Sequence, residues 1–252
     1  MIAHRVDGRG DSVLVLSPSL GTTTRMWEPQ VARLGERFRV VRHDLPGHGD
    51  SPIPDRPPTV GDIGAAVLAL LDRLGVDHFA FCGLSLGGMV GMWVAANAPD
   101  RVESLVLCCT GAKLGEPSYW EERAARVRAE GTAALVPALR ERWFTPAFRE
   151  TREARALLDE LAGIPREGYA GCCQALGAFD FSEELARIEA PTLVVAGAED
   201  EVTPPEVVDL LVARIPHANV LTVPDAAHLA NVEQPQAVTD ALLRHTCEAA
   251  AA

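Results

Sequence analysis

One stretch constrains this chain more than any other: Phe79-Ala80-Phe81-Cys82-Gly83-Leu84-Ser85-Leu86-Gly87-Gly88, followed by Met89-Val90-Gly91-Met92-Trp93-Val94-Ala95-Ala96. An apolar run, the pattern Gly-x-Ser-x-Gly and a helix-favouring run predict a strand that turns sharply into a helix, with Ser85 at the turn. Glycine is needed at positions 83 and 87 because a Cβ there would collide with the neighbouring strand or helix. Such a turn lifts the Ser85 hydroxyl clear of the sheet and leaves the Leu86 N–H free to stabilise an oxyanion. A glycine-rich turn that only packs tightly would use the same residues. The rest of the chain must therefore supply a base, an acid and a second oxyanion donor.

The flanking pattern alternates. An edge strand is predicted over Ile2 to Asp7, then a buried one over the continuous apolar run Val13-Leu14-Val15-Leu16, and a third over Phe38 to Arg42. Further strands are predicted over Val102 to Cys108, Pro191 to Gly197 and Ala218 to Val223. Helices are predicted over about 25–34, from a capping box at Thr59 and Asp62 to Leu74, and over about 205–214 and 234–245. This repetition predicts an α/β fold, a mostly parallel sheet of about seven strands with helices on both faces. Between Lys113 and Asp180 the alternation stops, and helical patterns broken near Gly131, Pro146 and Pro165 take over. That segment holds ten basic and eleven acidic side chains, so it is almost neutral within a chain of net charge −12. Residues 1–112 and 181–252 are expected to form the core, with 113–180 a helical lid inserted after the fifth strand. The end, Glu248 to Ala252, is expected to fray.

Bulk properties exclude several classes. A chain of 252 residues with 48% hydrophobic content buries a sizeable core as one α/β domain. A net charge of −12 argues against nucleic acid as a partner, because phosphate binding needs a basic face. No apolar run approaches the roughly 20 residues that span a bilayer, and Met1 to Arg5 lacks the apolar core of a signal peptide. Of six cysteines, Cys108-Cys109 and Cys172-Cys173 are adjacent pairs, unsuited to a metal knuckle. Buried, reduced thiols in a cytoplasmic protein without a metal site are expected.

A serine hydroxyl is a poor nucleophile near neutral pH and needs an imidazole to take its proton. Ligand sites of parallel sheets lie beyond the carboxyl ends of strands, so the partners should follow strands closely. Of seven histidines, His228 fits best, in the loop after the last strand; His43 and His48 also follow a strand but precede the serine. Asp200 lies three residues beyond Gly197 and is the favoured acid, with Glu199, Glu201 and Asp225 also eligible. The second oxyanion donor is expected in the loop after Val13 to Leu16, at the Leu20 N–H.

Ser17-Pro18-Ser19-Leu20-Gly21-Thr22, Met26-Trp27, Asp44-Leu45-Pro46-Gly47-His48-Gly49-Asp50-Ser51, Cys82 to Met89 and His228-Leu229-Ala230-Asn231-Val232-Glu233-Gln234-Pro235 together resemble the 3-oxoadipate enol-lactonases, which have the α/β-hydrolase fold. Trp143-Phe144-Thr145-Pro146 and Gly171-Cys172-Cys173-Gln174-Ala175 extend the resemblance into the lid. Gly-x-Ser-x-Gly and Pro-Gly-His-Gly recur across that superfamily, whereas Ser19-Leu20-Gly21-Thr22 and the lid segments are narrower signals. Many superfamily members carry His-Gly before the oxyanion residue, where this chain has Pro18-Ser19. Relatives begin with one more edge strand, so seven strands are expected here. Some relatives are fused to a decarboxylase domain, and the Ala-rich end reads as the start of such a linker.

The resemblance implies hydrolysis of 3-oxoadipate enol-lactone in the β-ketoadipate route of aromatic degradation, with Ser85, His228 and Asp200 as catalytic residues and no cofactor. A small anionic substrate meeting an acidic protein needs a local cation. Arg142 is the first candidate and Lys113 the second, with Trp143 as a pocket wall; Arg142 paired with Glu141 on a solvated helix face is the other reading. Other readings of the same serine are a different esterase or lactonase, a perhydrolase, and a hydrolase-fold receptor for small lactones. Ser85 argues against dehalogenases and epoxide hydrolases, which use Asp there, and against dienelactone hydrolases, which use Cys. Oligomeric state is left open by the sequence.

Overall fold

Runs that are apolar at every position end up in the middle of the sheet. The computed structural model describes residues 2–249, and its strands are β1 (His4–Asp7), β2 (Ser12–Ser17), β3 (Phe38–His43), β4 (Phe79–Leu84), β5 (Val102–Cys108), β6 (Thr192–Gly197) and β7 (Ala218–Val223). They form one sheet in the order β1-β3-β2-β4-β5-β6-β7, with β1 antiparallel to β3 and every other pairing parallel. All of β4 and all of β2 except Ser12 are buried, as strands covered on both faces must be. In the edge strands β1 and β7 only Val223 is buried.

The covering helices are α1 (Glu28–Leu34), α2 (Val60–Arg73), α3 (Leu86–Asn97), then α4 (Pro117–Glu130), α5 (Val136–Trp143), α6 (Arg152–Gly163) and α7 (Arg166–Gly177), and finally α8 (Pro205–Arg214), the one-turn α9 (Ala230–Glu233) and α10 (Pro235–Ala249). The predicted capping box is present: the Thr59 hydroxyl accepts the Asp62 N–H at 3.0 Å and the Asp62 carboxylate accepts the Thr59 N–H at 2.8 Å. Three expectations need correction. The helix placed over 25–34 begins as a 3-10 turn, Thr24–Trp27, and α1 starts only where Pro29 can occupy its first turn. The loop before α10 contains α9. Helix α10 runs on to Ala249, past the predicted His245 and into the end expected to fray, whose remaining residues 250–252 lie outside the described residues.

Helices α4 to α7 all fall between β5 and β6, with no strand among them in the described residues. The chain passes from β2 outward to β3 and returns with β4 on the other side of β2. Strand order therefore reverses between β2 and β4, whose ends lie side by side with Ser17 opposite Gly83. Loops leaving two such strands diverge and open a crevice at their carboxyl ends.

Candidate active site

Ser85 sits at that crevice, between β4 and α3, with φ 55° and ψ −117°. A non-glycine residue in this region carries about 1–3 kcal/mol of strain, held only because its surroundings over-determine it. The Ser85 N–H donates to the Cys108 carbonyl at 3.0 Å, and the Thr110 hydroxyl donates to the Ser85 carbonyl at 2.7 Å. A Cβ on Gly83 would stand 2.0 Å from the Gly87 oxygen, and one on Gly87 would stand 2.3 Å from the Ser17 oxygen. The two glycines let strand, helix and the loop after β2 close on one another, as predicted from their spacing.

Asp200 follows β6 and His228 follows β7, and the two side chains meet: His228 Nδ1 lies 3.0 Å from Asp200 Oδ2. Both are buried. The same carboxylate accepts from the Thr203 hydroxyl and, at 2.8 Å, from the Val202 N–H. Burial pushes the Asp200 pKa up, but the charge and hydrogen bond of His228, with the bonds from Thr203 and Val202, outweigh it and bring it to about 2. An ionised Asp200 holds the ring with its proton on Nδ1 and leaves Nε2 for a neighbour. Ser85 and His228 face the same cavity of about 380 Å³. Asp225, the nearer acid in sequence, is a turn residue at φ 51°. Of the other two eligible acids, Glu199 is exposed and Glu201 lines the cavity.

Leu86 is the first residue of α3, where a backbone N–H has no partner inside the helix and the helix dipole favours an anion. Leu20 lies in the loop after β2 on the cavity wall, and among the described residues its N–H has no acceptor. The next N–H, that of Gly21, is taken up by His48 Nε2 at 3.2 Å.

Much of the remaining wall comes from α4 and α5, with Lys113 just before them. Trp143 is buried there, edge-on to Phe144 at 6.3 Å, and its carbonyl accepts the Leu229 N–H beside His228 at 3.1 Å. Arg142 Nη1 donates to the Tyr119 hydroxyl at 3.0 Å; Glu141 pairs with Arg140 and Arg149 instead. Lys113 is engaged by Glu116 at 3.5 Å and Asp180 at 3.8 Å. The sequence reading missed Arg123. Its guanidinium lies 5.4 Å from the Trp120 ring centroid and 5.5 Å from that of Tyr169, and donates to the hydroxyl of Tyr169 and, at 3.3 Å, to that of Tyr119. Its Nε is sealed from solvent and has no partner, and among the described residues Arg123 forms no ion pair. The available signal was helical: Tyr119 and Trp120 stand four and three residues before Arg123 on α4, the two spacings that bring side chains together on a helix.

A sequence profile of the alpha/beta hydrolase fold matches residues 12–235. The chain belongs to the alpha/beta hydrolase family. Within that family, 3-oxoadipate enol-lactonase 2 of Acinetobacter baylyi is 40% identical over 231 residues, covering 91% of this chain and 86% of that protein. The enol-lactonase of Burkholderia xenovorans LB400 superposes with a TM-score of 0.94 at 38% identity, over 97% of this chain and 95% of that one. A hydrolase from Pseudomonas aeruginosa PA01 superposes with a TM-score of 0.93 at 44% identity, over 97% and 93% of the two chains. This alpha/beta hydrolase is an enzyme, a carboxylic ester hydrolase related to the enol-lactonases.

Two further histidines of this alpha/beta hydrolase, His43 and His48, are fully buried and lie off the cavity wall. Burial lowers each pKa to about 4. Between about pH 6.5 and 4 the unfolded chain therefore binds protons that the folded chain refuses, and stability present above pH 6.5 is lost as pH falls. Each histidine contributes a slope of at most about 1.4 kcal/mol per pH unit. Burial raises the carboxyls of Asp44, Glu160 and Glu233, which pull the opposite way. The clean measurement is a difference between proteins. Urea midpoints taken from pH 7 to pH 5 should fall less steeply in His48→Gln than in the unsubstituted enzyme, and parallel lines would show that His48 does not resist protonation.

Proposed function

We propose that this hydrolase opens the ring of 3-oxoadipate enol-lactone and releases 3-oxoadipate through an acyl-enzyme on Ser85, in the β-ketoadipate route of aromatic degradation. The observation that carries the reading is Arg123, a cation with no acid partner among the described residues, on the wall of the cavity that Ser85 and His228 share. The chain is acidic overall, so an anionic lactone is repelled at long range and needs such a local charge. Arg123, with Arg142 beside it on the wall, would take the acetate arm, while Trp120 and Trp143 give the ring an apolar bed. The two enol-lactonase relatives support the same substrate class.

In this mechanism Ser85 Oγ attacks the lactone carbonyl as His228 Nε2 takes its proton, and Asp200 stabilises the imidazolium. The carbonyl oxygen becomes an oxyanion held by the Leu20 and Leu86 N–H groups. The ring C–O bond breaks, its oxygen leaves as an enol with the proton from His228, and the enol tautomerises to the ketone. Enols leave more readily than alkoxides, so this step asks little of the acid. Water, deprotonated by His228, then attacks the acyl carbonyl, and Ser85 recovers its proton as 3-oxoadipate departs. We read residues 113–180 as a lid, tied to the His228 loop where Glu233 accepts the Thr145 N–H at 2.8 Å and the Ala227 N–H at 2.5 Å.

The test supplies enol-lactone generated from muconolactone and follows its ultraviolet absorbance. A kcat/KM on the order of 10⁵ M⁻¹ s⁻¹ or above is expected. No rate above the spontaneous background would refute the assignment.

A further inference from the structure

The turn after β3 touches none of the reacting atoms in this mechanism, yet it grips the loop that carries Leu20. Asp44 Oδ1 accepts the Thr24 N–H at 2.8 Å, while Arg42 donates to the Thr24 carbonyl at 2.9 Å. His48 Nε2 accepts the Gly21 N–H at 3.2 Å, and His48 Nδ1 lies 3.0 Å from the Pro46 carbonyl. A carbonyl can only accept and an N–H can only donate. One neutral tautomer, protonated on Nδ1, satisfies both contacts. The ring is fully buried and stacks on Tyr169 at 6.2 Å, the residue whose hydroxyl holds Arg123.

The geometry of the gripped segment gives this contact a consequence. Thr22 N–H donates to the Ser19 carbonyl at 3.2 Å, closing a turn in which Gly21 has φ +84°, the type II arrangement with Leu20 and Gly21 at its centre. Type II and type I turns differ mainly by rotation of the central peptide, here Leu20–Gly21. In the rotated form the Leu20 carbonyl, instead of the Gly21 N–H, would face the Nε2 lone pair of His48. Lone pair against lone pair is unfavourable, so His48 selects the observed form. Above the turn the lid closes the space, since a Cβ on Gly21 would stand 2.8 Å from Leu161 Cδ1 and 3.0 Å from Tyr169 Cε2.

We propose that His48 is a positioning residue of the oxyanion hole: by accepting the Gly21 N–H it anchors the Ser19–Thr22 turn in one form and so fixes where Leu20, on the cavity wall, holds its N–H. This rests on the reading of Leu20 as an oxyanion donor. Oxyanion donors act in the transition state, so loosening one lowers kcat and spares KM.

The test uses a neutral ester, which does not depend on the acetate-arm site, and a boronic acid, whose tetrahedral serine adduct mimics the oxyanion. His48→Met fills the same space and offers only a weak thioether acceptor in place of Nε2; His48→Gln returns an amide oxygen near the Nε2 position. His48→Met should lose roughly tenfold to a hundredfold in kcat, with KM within about twofold and boronate affinity weakened by a similar factor. His48→Gln should recover most of that loss. If His48→Met does not fold, His48→Asn, which keeps a donor for Pro46 and lacks the acceptor, should show the same kcat loss. An unchanged kcat, equal losses in the Met and Gln variants, or a loss confined to KM would overturn the proposal. An unsubstituted enzyme that forms no boronate adduct would overturn the oxyanion-hole reading itself, and the proposal with it.

Discussion

Ser85→Ala is expected to lower kcat for the enol-lactone by roughly 10⁴- to 10⁶-fold while the unfolding temperature stays within a few degrees. The size follows from the roles proposed around it. With Oγ gone no acyl-enzyme forms, and His228 and Asp200 have no proton to move, so the three side chains fail together. The Leu20 and Leu86 N–H groups are backbone atoms and remain, which is why the residual rate should still exceed the spontaneous one. Stability should survive because the fold grips the Ser85 backbone, through Cys108 and Thr110, and alanine meets the same φ of 55° as serine does. Mass spectrometry of quenched reactions gives a second readout, with an acyl adduct on the unsubstituted chain and none on the variant. Full activity in Ser85→Ala would place the nucleophile elsewhere.

What the chain discloses before folding depends on how local each feature is. The central strands were readable because burial on both faces removes the polar alternation, so Val13 to Leu16 and Phe79 to Cys82 stand out as unbroken apolar runs. The positions of Ser85, Asp200 and His228 were readable for a related reason: each lies within a few residues of a strand end, and parallel topology gathers strand ends on one side. The meeting of Asp200 with His228 across 28 residues of sequence needed no further information. The cationic wall was different. Ten basic residues occupy the segment 113–180, and which of them faces the cavity is set by how α4 packs on α7, a tertiary relation that no local pattern encodes. Adjacency to Trp143 points to Arg142, and both do line the cavity, but adjacency on α5 carries no information about Arg123 on α4. His48 was weighed only as a base and set aside on chain order. Its contact with Gly21 lies within the crevice region but spans 27 residues, and only the folded turn reveals it. The 3-10 turn at Thr24–Trp27 escaped because Arg42, from β3, and Asp44, just after it, hold its first residue.

Arg123→Met should raise KM for the enol-lactone about a hundredfold and leave KM for a neutral ester within about twofold. A charge-assisted contact between guanidinium and carboxylate in a shielded site is worth a few kcal/mol, and about 2.7 kcal/mol corresponds to the hundredfold. The arm lies away from the reacting carbonyl, so most of its binding is present before and during the transition state alike, and KM moves more than kcat. The same substitution should not weaken the fold. In the free enzyme Arg123 leans on the Trp120 and Tyr169 rings and on two tyrosine hydroxyls, with a sealed Nε and, among the described residues, no carboxylate partner. Cation–π contacts of about 1–2 kcal/mol compensate only part of the desolvation of such a charge. Methionine fills the space without it, and the unfolding temperature should hold or rise. Opposite signs for binding and stability mark a charge kept for a ligand. Arg123→Lys should fall between, because an ammonium keeps the charge and loses the planar fork. Arg142→Gln should raise KM less than tenfold, since among the described residues Arg123, and not Arg142, has a guanidinium nitrogen sealed from solvent without a partner. If Arg142→Gln has the larger effect, the arm binds at Arg142; if Arg123→Met shifts both substrates equally, Arg123 only shapes the cavity wall.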